Sequence, residues 1–257
     1  MAEQFGRSAS ALLHDFIETV LEERQVGRID VLCFHRVRLF TDGSRHYYSV
    51  PAVQEQVLQL FSAFPDIHFE VLQELTDSHT KSGAAAMLRL KTSEWERTGF
   101  VLARIARGRI TTLRFVFALQ GRNEQTKGIG IGNCYPAAEV EVAAVPNKVY
   151  MQYEYLQEMQ NYPVLEDYMY QLAGLPRAEQ GTEVECSQDL QVCLQPGSVY
   201  LADVMGERTA SGQHVYLLVW YKGLLLEQGN VTTSGASYVE LNEQGVLRDI
   251  RVFDEIN

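Results

Sequence analysis

Residues 67–119, IHFEVLQELTDSHTKSGAAAMLRLKTSEWERTGFVLARIARGRITTLRFVFAL, decide the fold. Apolar and polar residues alternate through IHFEVLQEL, GAAAMLRLKTSE, TGFVLARIA and RITTLRFVFAL. A period of two places one set of side chains on a buried face and the other set toward water. The breaks between the runs are short: Asp77-Ser78, Trp95 to Arg97, and Arg107-Gly108. Breaks of that length join antiparallel neighbours, so the stretch reads as a four-stranded meander.

What precedes the meander is helical. Leu12, Leu13, Phe16, Ile17, Val20 and Leu21 recur with a period of 3.6 over residues 9–24, and Ser8 or Ser10 suits the cap. Gly27 interrupts the pattern, and Ile29 to Cys33 reads as a short second helix. RVRLFT is a strand that ends at an Asp42-Gly43 turn signal. Pro51 fits the first turn of a further helix, whose Val53, Val57, Leu60 and Phe61 line one face before Pro65 stops it. Helices first and antiparallel strands after is an α+β layout.

Residues 120–148 turn polar and then glycine-rich, as a linker does. GIGIG within them lacks the Lys-Ser/Thr of a phosphate loop. The order then repeats. VYMQYEYLQEMQ and VLEDYMYQLAGL read as helices, the second with Leu165, Tyr168, Met169 and Leu172 on one stripe. Strands follow in TEVECS, LQVCL, SVYLADVMGE, HVYLLVWYKGLLLE, ASYVELN and VLRDIRVFDEI. Both halves close alike, IARGRITTLRFVF and LNEQGVLRDIRVF each being strand, glycine turn, strand. The pattern predicts an internal duplication, with one domain over 1–120, a linker over 121–147 and a second domain over 148–257.

Composition narrows the function. The chain has 257 residues and a formal net charge of −11. Nucleic acid and anionic membrane surfaces both call for a basic face, which this balance of charge does not supply. No run approaches the roughly 18 apolar residues of a spanning helix. The start, MAEQFGRSAS, has no apolar signal core, so a cytoplasmic location is expected. Cys33, Cys134, Cys186 and Cys193 have no zinc or CxxC spacing and read as reduced, small apolar residues. Nothing in the spacing of residues calls for a metal or another cofactor.

The ordered set of features in residues 9–119 resembles the SnoaL-like polyketide cyclases and ketosteroid isomerases of the NTF2-like superfamily. The features are helix, small glycine turn, strand ending in Asp42, helix ending AFPD, the FPDIHFEV junction and the last hairpin GRITTLRF. In residues 148–257 the likeness is carried by about the last 45 residues. The resemblance implies two tandem cones, each a curved antiparallel sheet wrapped on N-terminal helices around a ligand cavity. It implies an intramolecular pair of cones, with a homodimer as a further arrangement. The activity it implies is cofactor-independent acid–base chemistry (cyclisation, isomerisation or epoxide opening) on a hydrophobic polyketide- or terpenoid-like intermediate. The alternative is a non-catalytic module that binds a small molecule or a protein.

Two acids are candidates for the chemistry. Asp42 stands where the resemblance places a catalytic aspartate, on an alternation shared with Arg38 and Phe40, which become cavity-lining candidates if that face turns inward; its other reading is a plain turn residue. His46 and Tyr47 follow the turn and are candidates for a cavity mouth, with Tyr48 next to them. Aligning the two closing hairpins sets Asp254 against Phe117, whose face of Leu113, Phe115 and Phe117 is interior. Asp254 shares its alternation with Arg248 and Ile250, and an acid on an interior face is costly unless paired or functional. The other reading leaves it in water at the chain end. Trp220 is a further cavity candidate among the aromatic residues of 150–221. The isomerases' helical tyrosine has Phe16 as its approximate counterpart here, and the late strand FVLARIA carries no acid.

Overall fold

The computed structural model describes residues 7–41, 46–77, 82–117, 149–151, 162–173, 185–186, 198–226 and 229–254. It divides into two compact units, the first drawn from residues 1–131 with 205–207 and the second from 132–204 and 208–256. The expected linker of 121–147, with its GIGIG, lies outside the described residues, as do Asp42 and the LQVCL segment.

The first unit begins with α1 (Ala9–Asp15), capped by the Ser8 hydroxyl, which accepts the Ala11 N–H at 3.1 Å. The expected single α-helix changes character at Phe16 and runs on as a π-helical stretch to Glu22. Thr19 accounts for the change. Its hydroxyl donates to the Asp15 carbonyl at 2.6 Å, which loosens the ordinary ladder at that turn. By the end of the stretch the bonds run five residues back, Glu23 N–H to the Glu18 carbonyl at 2.9 Å. The apolar stripe survives the change: Leu12, Leu13, Phe16, Ile17, Val20 and Leu21 are all buried.

A 3-10 turn (Val26–Arg28) and α2 (Ile29–Leu32) lead into β1 (Cys33–Phe40), β2 (His46–Tyr48) and α3 (Val50–Ala63). The meander follows as β3 (His68–Thr76), β4 (Gly83–Lys91), β5 (Glu96–Ala106) and β6 (Arg109–Phe117). The sheet order is β2-β1-β6-β5-β4-β3. The meander is antiparallel throughout, but β1 joins β6 in parallel, so the sheet is mixed where the sequence suggested an antiparallel one. Helices α1 and α3 and the π-helical stretch cover one face. With Val37, Leu39, Val101, Leu113, Phe115 and Phe117 they form one apolar core.

The FPDIHFEV junction is pinned from both sides. Asp66 accepts the Ser93 N–H at 2.6 Å, and hydrogen bonding from the Ser93 side chain, with that backbone bond beside it, holds its carboxyl below the usual range. Glu22 accepts the Phe69 N–H at 2.7 Å and meets the His68 ring at 2.9 Å. A second such contact ties α1 to the same strand, His14 Nδ1 to Glu74 at 2.7 Å.

The second unit holds β7 (Val149–Met151), α4 (Pro163–Leu172), β8 (Glu185–Cys186), β9 (Val199–Arg208), β10 (His214–Leu226), β11 (Gly229–Leu241) and β12 (Leu247–Asp254). Val149–Met151 was expected to open a helix. It is a strand instead, parallel to β9 with Tyr150 opposite Tyr200. All three residues are buried, and a short run of that kind suits a strand with neighbours on both sides. The rest of that expected helix lies outside the described residues. The order is β12-β11-β10-β9-β7-β8.

The units therefore share a helix followed by a four-stranded meander and differ at the edge pair. In the first unit that pair joins the last strand of the meander; in the second it joins the first strand. The closing hairpins do match. Each turns through a glycine with positive φ, Gly108 at 70° and Gly245 at 76°. The second core gathers Leu165, Tyr168 and Met169 of α4 with Leu201, Tyr216, Leu218, Trp220 and Val239 of the sheet.

The His14–Glu74 contact gives the first unit a pH signature. The hydrogen bond that the His14 ring donates to Glu74 raises the His14 pKa above its ordinary 6.5. A raised folded value means that the contribution is complete below 6.5 and is lost as pH rises through that value. Glu74→Gln is expected to cost about 0.2–1 kcal/mol on the acid side, the range for an exposed pair, and the cost is expected to fade as pH rises through the raised His14 value. Denaturant unfolding of both proteins across pH, with an NMR titration of His14, checks this.

Candidate active site

The expected site residues of the first unit fall into two groups. Leu113, Phe115 and Phe117 do face inward, in a packed core. Phe115 stacks on Phe117 at 5.2 Å and meets Phe16 at 6.2 Å, and Phe69 meets Phe117 at 6.1 Å. Phe16 thus closes a run of four phenylalanines. Tyr47 packs against the same core, opposite Leu39. His46 pairs with Phe40 through the backbone.

Arg38 and Phe40 correct the expectation of an inward face. Val37 and Leu39 are buried, and Arg38 is exposed on the opposite side of β1. The alternation admits one inward set, and burying Leu39 is favourable where stripping water from Arg36 and Arg38 is costly. Arg38 reaches Thr112 Oγ1 at 3.4 Å, and the Arg114 guanidinium stacks 4.1 Å over the Phe40 ring. Cys33 is buried, and burial pushes its thiol up to about 12, far from any thiolate chemistry.

The second unit gathers more polar chemistry on its helix-facing side. Trp220 is buried, and its indole N–H donates to Ser237 Oγ at 2.8 Å. Ser237 Oγ also lies 2.6 Å from the Tyr168 hydroxyl. Tyr168 projects from α4, so this three-residue network bolts the helix to β10 and β11. Two residues beyond Trp220 on the same face, Lys222 Nζ donates to the Leu172 carbonyl at 2.8 Å, where α4 ends. Nothing in the periodicity pointed to Ser237 or Lys222. Tyr168 was visible only as a member of the core stripe.

Gly235 makes this arrangement possible. A Cβ on Gly235 would sit 2.3 Å from Trp220 Cζ2, so the indole lies directly over the glycine. Gly235 pairs with Trp220 on one side and with Asp254 on the other. The first unit repeats the device: Gly99 pairs with Phe117, and a Cβ there would sit 2.6 Å from the Phe117 ring. Phe117 and Asp254 thus hold equivalent register positions, each beside a glycine that clears space for an aromatic ring. In the first unit the ring comes from the last strand. In the second it comes from β10, and the last strand offers an acid.

Of the other last-strand candidates, Ile250 packs against the second core opposite Val239. Arg248 is exposed and corrects the expectation of an inward position. The pairing of β11 with β12 slips between Glu240 and Leu241, whose partners are Asp249 and Leu247, so Arg248 is the extra residue. Gly235→Ala would drive a methyl group into the Trp220 ring. It is expected to destabilise the protein by about 1–3 kcal/mol, the usual cost of overpacking. Thermal unfolding followed by Trp fluorescence measures it.

No family model matches the chain, and no curated protein matches it. Among solved structures it is similar to SnoaL-like polyketide cyclases and NTF2-like proteins. A SnoaL-like polyketide cyclase from Agrobacterium tumefaciens is 12% identical and matches with a TM-score of 0.36 over 43% of this chain and 91% of its own. An NTF2-like protein of unknown function from Cytophaga hutchinsonii is 12% identical, with a TM-score of 0.36 over 46% of this chain and 94% of its own. A cystatin-fold protein from Novosphingobium aromaticivorans is 7% identical, with a TM-score of 0.38 over 44% of this chain and 100% of its own.

Proposed function

We propose that the second unit carries out cofactor-independent acid–base chemistry on a flat, apolar carbonyl compound, of the cyclase or isomerase type. The observation that supports this reading is the register of Asp254. It stands beside Gly235, one row from the Ser237 hydroxyl that Tyr168 and Trp220 share. In this reading the Asp254 carboxylate takes a proton from the carbon next to the substrate carbonyl. The C–H electron pair passes into the new C=C bond, and charge collects on the carbonyl oxygen. The Tyr168 hydroxyl donates a hydrogen bond to that oxygen, the role that stabilises a developing oxyanion. Return of the proton to another carbon isomerises the compound; alternatively, attack of the enolate carbon on a second carbonyl breaks that C=O π bond and closes a ring, and the resulting alkoxide takes back the proton from Asp254.

Exchange of the α-protons of 2-tetralone in D₂O, followed by NMR, tests the shared first step. The wild-type protein is expected to exceed the buffer rate. Asp254→Asn is expected to abolish the excess, and Tyr168→Phe to lower it by about 10²–10³, the loss typical of one oxyanion donor. A wild-type rate equal to buffer, or two variants that exchange as fast as wild type, would sink the proposal. Saturable quenching of Trp fluorescence by 2-naphthol without any exchange would instead identify a non-catalytic small-molecule-binding unit.

A further inference from the structure

The first unit carries a shallow open groove that the chemistry above does not use. Its volume is about 530 Å³, and it lies between α1 with the π-helical turn that follows it, the 3-10 turn and β3. Six of its lining residues carry charge: Arg7, Arg28 and His14 against Asp15, Glu18 and Glu74.

The charges are sorted within the groove. Arg7 and Arg28 converge on one oxygen, Asp15 Oδ2, at 2.6 and 3.5 Å. Two guanidiniums on one carboxylate leave that end with a surplus of positive charge and of N–H donors. The other end has the opposite balance. Glu74 receives Ser10 at 2.6 Å and His14 at 2.7 Å. Glu18, 63% exposed, has His14 Nε2 as its nearest cation at 3.8 Å, beyond hydrogen-bond reach. Two carboxylates therefore share one imidazolium. The Glu74 hydrogen bond favours the protonated ring.

The sum over the groove is zero when His14 is protonated, and this restricts the ligand. A simple anion gains Arg7 and Arg28 but faces Asp15, Glu18 and Glu74. A simple amine gains the carboxylates but faces the arginines. A neutral molecule with separated charges gains at both ends. The spacing sets its length. Asp15 and Glu18 are three residues apart on the helix, roughly one turn or 5 Å, so the two charges of the ligand must be close together. We infer that this groove is a binding site for a free α-amino acid, with its carboxylate on Arg7 and Arg28 and its ammonium on Glu18 and the outer face of Glu74. Arg28, 38% exposed and holding Asp15 only at 3.5 Å, has donors to give to such a carboxylate.

Amide chemical shifts of residues 7–18, 28 and 74 of the full chain, read during additions of single L-α-amino acids, test the inference. At least one of the twenty is expected to shift these amides saturably by about 10 mM, the scale of a weak site. Acetate and methylamine, each carrying half of the ligand, are expected to leave them unmoved. Arg28→Ala and Glu18→Gln are each expected to weaken binding about tenfold, both replacing exposed side chains outside the core. Tyr168→Phe, in the other unit, is expected to bind as wild type does, which separates this site from the acid–base proposal. No saturable shift with any amino acid, equal binding of acetate or methylamine, or unchanged affinity in both variants would overturn it.

Discussion

Each sheet in this protein has an apolar helix-facing side that must be taken out of water, and the helices of each unit are arranged around meeting that demand. In the first unit α3 and the Leu12–Leu21 stripe do the covering together, the stripe with six large apolar side chains. Six large apolar side chains, at about 1.5–3 kcal/mol for each one fully buried, amount to an effect of order 10 kcal/mol. The polar ties between the helix and β3 are an order smaller, since exposed ion pairs contribute about 0.2–1 kcal/mol. His14–Glu74 and Glu22–His68 therefore fix the angle at which the helix lies, and the apolar stripe fixes that it lies there at all. This is why the helix tolerates a π-helical stretch. The ladder shifts at Thr19, and the side chains that matter stay on the buried side.

The meander was legible in the sequence because period-two alternation and short turns are local signals. The α+β order followed from it, and the matched closing hairpins were visible in their glycines. The edge pairs were not legible. Whether a short strand joins the first or the last strand of a meander depends on contacts between segments far apart in the chain. Nothing in VYM or RVRLFT announces that choice. The run VYM also satisfies helical and extended patterns equally well over three residues, and only the company of β9 decides between them.

The candidate site was legible in part, for similar reasons. The alignment of the two hairpins brought Asp254 to the position of Phe117, and the paired glycines Gly99 and Gly235 support that correspondence independently. Arg38 and Phe40 were set on the wrong side, because strand alternation says which residues share a face and not which face turns inward. The burial of Val37 and Leu39 answers that. Arg248 was misplaced by a bulge, a one-residue event that leaves no clear trace in composition. Ser237 was missed because a lone serine among apolar residues is ordinary. Its importance comes from two partners, Tyr168 and Trp220, that reach it from 69 and 17 residues away.

The bulge at Arg248 has an effect beyond the placement of one side chain. β12 is an outermost strand of its sheet, where unpaired peptide groups invite another chain to add itself. A foreign strand docking there would need a straight, uncharged border several residues long. It would meet instead a local kink at Arg248, and then Arg251 bonded to Asp249 at 2.8 Å and lying 3.8 Å from Glu240. Bringing a backbone against that border means stripping water from three or four charges at once. The closing strand thus resists strand addition at the place where its sheet would otherwise keep growing.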